Sequence, residues 1–325
     1  MMVSRAEQVT PPVLAGPERI CLADIGELNT LFSDAFTERS RRDGLAGVRV
    51  PPLNPAIWRY AIEGAGAGAM LWRDGAGAIA AFNVAHASGA EGWMGPLAVR
   101  MDFQGTGQGK AVVRAGIAHL RAAGCRTIGL ETMPRTVDNI GFYAGLGFVP
   151  GYLTVTLTVE ASASSSVGGL LTALDPAARE AAVTECAALA ERLAPGADYS
   201  REIRLTHELA LGDTLLLRRG DALAGFALCH AAPLVEGRTR DELRVLKLVA
   251  DDLDTFGSML PSLRALARRS ATARVAFRMQ GEYRAAFTQV VEAGGRVRWT
   301  DLRMTLDGHP QVIPATGVLL SNWEI

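Results

Sequence analysis

The chain has 325 residues, 49% of them hydrophobic and 21% charged, and its 33 lysines and arginines against 34 aspartates and glutamates leave a formal net charge of −1. That balance excludes a disordered chain and lacks the basic excess of a nucleic-acid binder, while the length suits two domains of roughly 150 residues. The four cysteines, Cys21, Cys125, Cys186 and Cys229, lie far apart with no CxxC pair and no zinc-finger histidine, which points to a reduced, cytoplasmic setting without a structural metal. The opening stretch MMVSRAEQVTPPVLAGPERI has no apolar signal core, and no apolar run reaches the ~20 residues of a bilayer span. Neither secretion nor a membrane partner is expected.

In chain order, helical spacing of Ile25, Leu28, Leu31, Phe32 and Phe36 predicts a helix from Asp24 to about Ser40. A polar stretch from Arg39 to Asn54 follows, and Trp58 opens a second short helix. Met70–Trp72 and Ile79–Ala85 flank a turn at Arg73–Gly77 and read as a hairpin. Trp93–Val99 reads as a strand and Gly107–Ala123 as a helix stopped by Gly124. Arg126–Glu131 is a further strand, Val137–Ala144 a short helix and Phe148–Val159 a long strand. This order makes an α/β (α+β) domain. Small residues from Ala161 to Gly169 (ASASSSVGG) mark a break, so the expected domains are 1–160 and 171–325, joined by a linker over 161–170.

The second half repeats the plan. Leu215–Leu217 and Leu223–His230 mirror the first hairpin, with Gly75 matching Gly220, His86 matching His230, Val99 matching Val249 and Leu157 matching Leu306. A period of 145–150 residues predicts two copies of one domain, the alternative being an unrelated α/β unit. Val318–Leu320, followed by Trp323, is expected to close the second sheet.

The stretch that carries chemistry is Gln104-Gly105-Thr106-Gly107-Gln108-Gly109-Lys110, between a strand and a helix. Glycines let a backbone approach a ligand, and a helix start presents unpaired N–H groups to an anion, so a phosphate or pyrophosphate is the natural guest; a plain strand-to-helix turn is the alternative. A Walker A loop fails at Gln104 and Ala111, and a GxGxxG fingerprint fails at Lys110. The stretch does fit Q/R-x-x-G-x-G/A. Downstream, Asn139-Ile140-Gly141-Phe142-Tyr143-Ala144-Gly145-Leu146-Gly147-Phe148 resembles N-x-x-x-x-F/Y-x-x-x-G-F with one residue fewer between Asn139 and Tyr143. Together these motifs resemble the GNAT superfamily of acyl-CoA-dependent N-acyltransferases over roughly Ile20 to Glu160.

The resemblance implies two GNAT-like domains, each a mixed, mostly antiparallel twisted sheet flanked by helices, with acyl-CoA threaded between splayed strands as an added strand. It places Leu97, Ala98 and Val99 along the pantetheine, the backbone of Gln104, Gly105, Thr106, Gly107, Gln108, Gly109 and Lys110 around the pyrophosphate, and Asn139 on the pantetheine arm. Lys110 and Arg114 either reach phosphates or form a solvated helix face. Tyr143 is the expected general acid for the leaving thiolate, with a core aromatic as the alternative, and Glu131 the expected general base, with Glu91, Asp102 and His86 as alternatives. Arg39–Arg42, Asp43 and Trp58 are expected at the acceptor wall. The second copy sets Asp254–Pro261 against the glycine loop with only Gly257 retained, and Asp251, Asp252 and Asp254 there repel a pyrophosphate. That half is expected to keep the fold without binding CoA and to shape the acceptor site. The expected activity is acetyl transfer from acetyl-CoA, without a metal, to the primary amine of a small molecule or peptide. A CoA-binding sensor without turnover and transfer of longer acyl chains are the alternatives.

Overall fold

The computed structural model describes residues 14–163 and 168–323. The first half runs β1 (Ala15–Arg19), α1 (Ile25–Arg42), α2 (Pro55–Ala65), β2 (Ala69–Arg73), β3 (Ile79–Ser88), β4 (Glu91–Val99), α3 (Gln108–Ala122), β5 (Thr127–Thr132), α4 (Val137–Ala144) and β6 (Phe148–Glu160). The second runs β7 (Gly169–Leu170), α5 (Pro176–Leu193), α6 (Ser200–Glu208), β8 (Gly212–Arg219), β9 (Ala222–His230), β10 (Glu242–Ala250), α7 (Leu253–Arg269), β11 (Arg274–Gln280), α8 (Arg284–Glu292), β12 (Arg296–Leu306) and β13 (Val318–Ser321). Residues 164–167 of the expected linker lie outside the described residues.

Local chemistry explains the element ends. Asn54 accepts a hydrogen bond from the Ala56 N–H while Pro55 opens α2, and Asp175 and Pro176 do the same for α5. α1 buries Leu28, Leu31 and Phe32, spaced for one helical face, in the core beneath β2 and β3. β3 is an almost continuous buried run because α1 and α2 cover one face and α3 the other. α3 lies close, since a Cβ on Gly116 would run into Asn83 and Met94.

The two halves share one mixed sheet in the order β1-β2-β3-β4-β5-β12-β6-β11-β10-β9-β8-β7, with β13 paired to β10 off this path. The α/β class stands, but the two halves do not build separate sheets. β12 of the second half pairs with β5 of the first, and β6 of the first pairs with β11 of the second. The exchanged strands carry fully buried Leu157, Phe148 and Met304, each worth about 2 kcal/mol of burial. Thus each half completes the other's core. No helix among the described residues is long and apolar enough to cross a membrane.

Candidate active site

A cavity of about 950 Å³ opens where β4 and β5 separate. The two strands pair in parallel only from Glu91–Met94 against Thr127–Leu130. Beyond this, Leu97, Ala98 and Val99 stay paired to Asn83, Phe82 and Ala81 of β3 and line the cavity. Because Arg100 donates its N–H to Ala80, the alternation of an antiparallel ladder turns the Leu97 and Val99 backbone groups away from β3, towards the gap. Such an edge is ready to bond an amide-bearing ligand.

At the end of β4 the glycine loop leads into α3. Gly105 and Gly107 hold φ of +76° and +90°, a region costly for residues with a Cβ, and Gly107 is the N-cap of α3. The Gln104 side chain donates to the Val99 carbonyl (2.9 Å) and accepts from Arg42 (3.2 Å), tying the loop to β4 and α1. Gln104, Gly105, Gly107, Gly109 and Lys110 line the cavity. Thr106 and Gln108 fall outside the lining, and the Thr106 hydroxyl donates back to Phe103 (2.6 Å). The start of α3 adds the positive end of a helix dipole.

Opposite, α4 brings Asn139, Phe142 and Tyr143 to the same cavity. Tyr143 is 7% exposed and packs edge-on to Phe142 (5.1 Å between centroids) and Phe148 (6.0 Å). Burial pushes its phenol up to about 12, so it carries its proton at neutral pH.

The far end is built by both halves. α1 contributes Phe32, Phe36 and Arg39, while β11, β12 and the residues after β13 contribute Arg278, Trp299, Asp301 and Trp323. Glu131 lies at their junction. It accepts from Arg303 (2.8 Å), from Arg278 and from the Thr154 hydroxyl. Burial alone would raise its carboxyl, but Arg303 and Arg278 outweigh that and hold it at about 2. Asp301 pairs with Arg278 at 3.0 Å and accepts from Trp299 Nε1 at 3.1 Å, and burial raises its carboxyl above the ordinary aspartate value despite Arg278.

Residues 31–148 match the family model described as the acetyltransferase (GNAT) family. The chain carries a GNAT domain. Over most of its length the chain has the fold seen in a tandem GNAT protein. A protein from Pyrococcus horikoshii superposes with a TM-score of 0.65 at 16% identity, covering 99% of this chain and 99% of that one. A tandem GNAT protein from the clavulanic acid biosynthesis pathway gives 0.56 at 13% identity, covering 89% and 96%. The Saccharomyces cerevisiae N-myristoyltransferase with bound myristoyl-CoA gives 0.62 at 9% identity, covering 97% and 82%. No curated protein matches the sequence.

In this GNAT domain several expected site residues sit elsewhere. Trp58 is fully buried and donates to Asn29 (2.6 Å), a core role that keeps it from the acceptor wall. Asp43 is held by Arg39 and Thr136, and Arg41 by Glu38, whereas Arg39 and Arg42 do line the cavity. Of the alternative bases, Asp102 pairs with Arg100 (2.8 Å) away from the cavity, and Glu91 is buried on Tyr199 (2.8 Å) and Ser321 (2.9 Å). His86 borders a separate void of about 20 Å³, and its burial lowers its proton affinity to about 3.

In the second half, the residues set against the glycine loop, Asp254–Pro261, are the first turns of α7 instead. Asp252 caps that helix by accepting from Thr255 N–H (2.7 Å), so the anion position is filled by the chain's own carboxylate. A helix start at Asp252 was legible as an N-cap before an apolar run.

Proposed function

We propose that the chain transfers an acyl group, acetyl in the first instance, from acyl-CoA to the primary amine of a small molecule or peptide at the first GNAT domain. The observation that carries this reading is the single cavity that joins the open edge of β4, the glycine loop at the start of α3, and Tyr143. The Leu97 and Val99 backbone bonds the pantetheine amides, the loop and Lys110 hold the pyrophosphate, and Asn139 faces the arm. Amine and thioester are held together in one cavity, which removes the entropy cost of a bimolecular encounter.

The amine nitrogen attacks the thioester carbonyl carbon, the C–S bond breaks, and the leaving sulfur takes the Tyr143 proton, which solvent later restores. The amine must also shed a proton. Glu131, clasped by two arginines and held near 2, is a poor acceptor, so the base role moves to Asp301, whose burial favours its protonated form. Glu131 then serves to fix Arg278 and Arg303 across the exchanged strands.

The test is thiol release from acetyl-CoA across a panel of primary amines, repeated with octanoyl- and myristoyl-CoA. Amine-dependent release is expected, fastest with acetyl-CoA. Faster release with the longer chains would replace acetyl by a long acyl group, and no release with any amine would favour a CoA-binding sensor. Asp301→Asn is expected to slow release about 10²-fold and to remove the fall in kcat/KM on acidification. An unchanged pH profile would take Asp301 out of the base role.

A further inference from the structure

The second GNAT fold keeps the splayed strand pair but closes the gap. β10 pairs with β11 only from Glu242 to Val245, as β4 pairs with β5 only from Glu91 to Met94. Past that point β4 presents its edge to the cavity, whereas Lys247–Ala250 of β10 pair antiparallel with β13, Lys247 opposite Ser321 and Ala250 opposite Val318. β13 thus lies along the edge that corresponds to the open one of the first domain.

The fit of β13 is built at both ends. Gly317, at φ +79°, leads into it, and a Cβ there would press into the Ala250 carbonyl oxygen, so only glycine lets the chain enter this close. Val318 and Leu320 join the core around α7, and Leu319 joins the core on the opposite face. Beyond the strand, Asn322 donates its backbone N–H to Leu246 (2.9 Å) and its side chain to the Arg278 carbonyl (3.0 Å), while Arg303 donates to the Ser321 carbonyl (2.9 Å). The Ser321 hydroxyl accepts from buried Lys247 (3.0 Å) and donates to Glu91 (2.9 Å).

One residue further, Trp323 reaches the other domain's site. Its ring stacks on His86 (5.5 Å between centroids) and the Lys247 ammonium lies 3.0 Å from its centroid, while the residue lines the large cavity together with Trp93. The vacated groove of one domain and the wall of the other are therefore connected by six consecutive residues, Val318 to Trp323.

We propose that β13 is the built-in occupant of the second domain's acyl-CoA groove, standing where a pantetheine arm would pair, and that this docking fixes Trp323 as a wall of the first domain's acyl-transfer cavity. The second half of this claim rests on the acyl-CoA reading of that cavity; the first half does not. The docked strand explains why the second fold retains its splay without an anion loop: the splay holds protein instead of ligand.

Amide exchange in the full chain, followed by NMR with and without acetyl-CoA, separates the two. Leu248 faces β13, because the Asn322 N–H bonds Leu246 and backbone direction alternates along β10. Its amide is expected to be protected without ligand. The Leu97 and Val99 amides are expected to exchange freely and to slow at least about tenfold on adding acetyl-CoA. The Trp323 indole N–H resonance, assigned by its loss in Trp323→Phe, is expected to shift with them. Leu248 exchanging as fast as Val99 in the free protein, or slowing only when acetyl-CoA is added, overturns the docked strand. An unmoved Trp323 signal while Leu97 and Val99 slow overturns the wall. If Leu97 and Val99 never slow, the acyl-CoA reading has failed, and Leu248 still reports on β13 by itself. Gly317→Ala is a second check, expected to speed Leu248 exchange and displace the Trp323 resonance; no change in either contradicts the proposal.

Discussion

Tyr143→Phe is expected to lower kcat about 10²-fold while the Kd for acetyl-CoA stays within about twofold. The phenol is buried between Phe142 and Phe148 on a helix that faces the strand gap, so in the proposed mechanism the ring fixes shape and the hydroxyl supplies the proton. Deleting one oxygen keeps the packing and removes the proton donor. With the phenol near 12, no alkaline fall in rate from its ionisation is expected below about pH 11, which distinguishes it from a donor with an ordinary tyrosine value. Measured kcat against pH for both forms decides the matter. A variant that turns over like the parent would make Tyr143 a core aromatic.

The other large effect is on stability, at Glu131. Glu131→Gln is expected to cost about 3–5 kcal/mol, because Arg303, 3% exposed, keeps its charge and loses its carboxylate. For a chain of this size that corresponds to a fall in Tm of roughly 10 °C. The pH dependence follows from the carboxyl lying at about 2 in the fold against an ordinary 4.5. A lowered value stabilises the fold fully above the ordinary value, and that contribution is lost as pH falls from 4.5 through 2. The gap between parent and variant should therefore narrow by about 3 kcal/mol across that window, as read by denaturant unfolding. A gap that stays constant would mean that the two arginines do not act through this charge.

Much of the first domain was legible because its signals are local. The α4 boundaries follow from helical spacing, and the glycine loop announces itself through residues whose backbone angles only glycine adopts easily. The loop and α4 then meet in one cavity because a strand and a helix separate them in sequence, as the resemblance implied. The far end of the cavity was not legible for a physical reason. Arg278, Trp299 and Asp301 stand on strands of the second half, and β12 reaches the first domain only because it exchanges places with β6. Period-2 alternation tells which face of a strand is buried but not which strand lies beside it. The same limit applies to Val318–Leu320, which joins the second half's sheet as expected, although its place in the gap beside β10 was not legible. Glu131 looked like a base because it ends a strand near the motif. The distant Arg278 and Arg303 that clasp it and lower its carboxyl are what favour Asp301 in the proposed mechanism, and nothing in the local sequence announces them.

The central claim is that acyl-CoA binds once, at the first domain, on the glycine loop. Isothermal titration of acetyl-CoA into the full chain and into Gly107→Glu tests it most directly. Gly107 sits at φ +90° at the N-cap of α3, so glutamate there both strains the turn and sets a negative charge against the pyrophosphate. The account predicts one acetyl-CoA per chain for the parent and none for Gly107→Glu, with the fold intact by circular dichroism. Two per chain, or binding that survives the substitution, would contradict it.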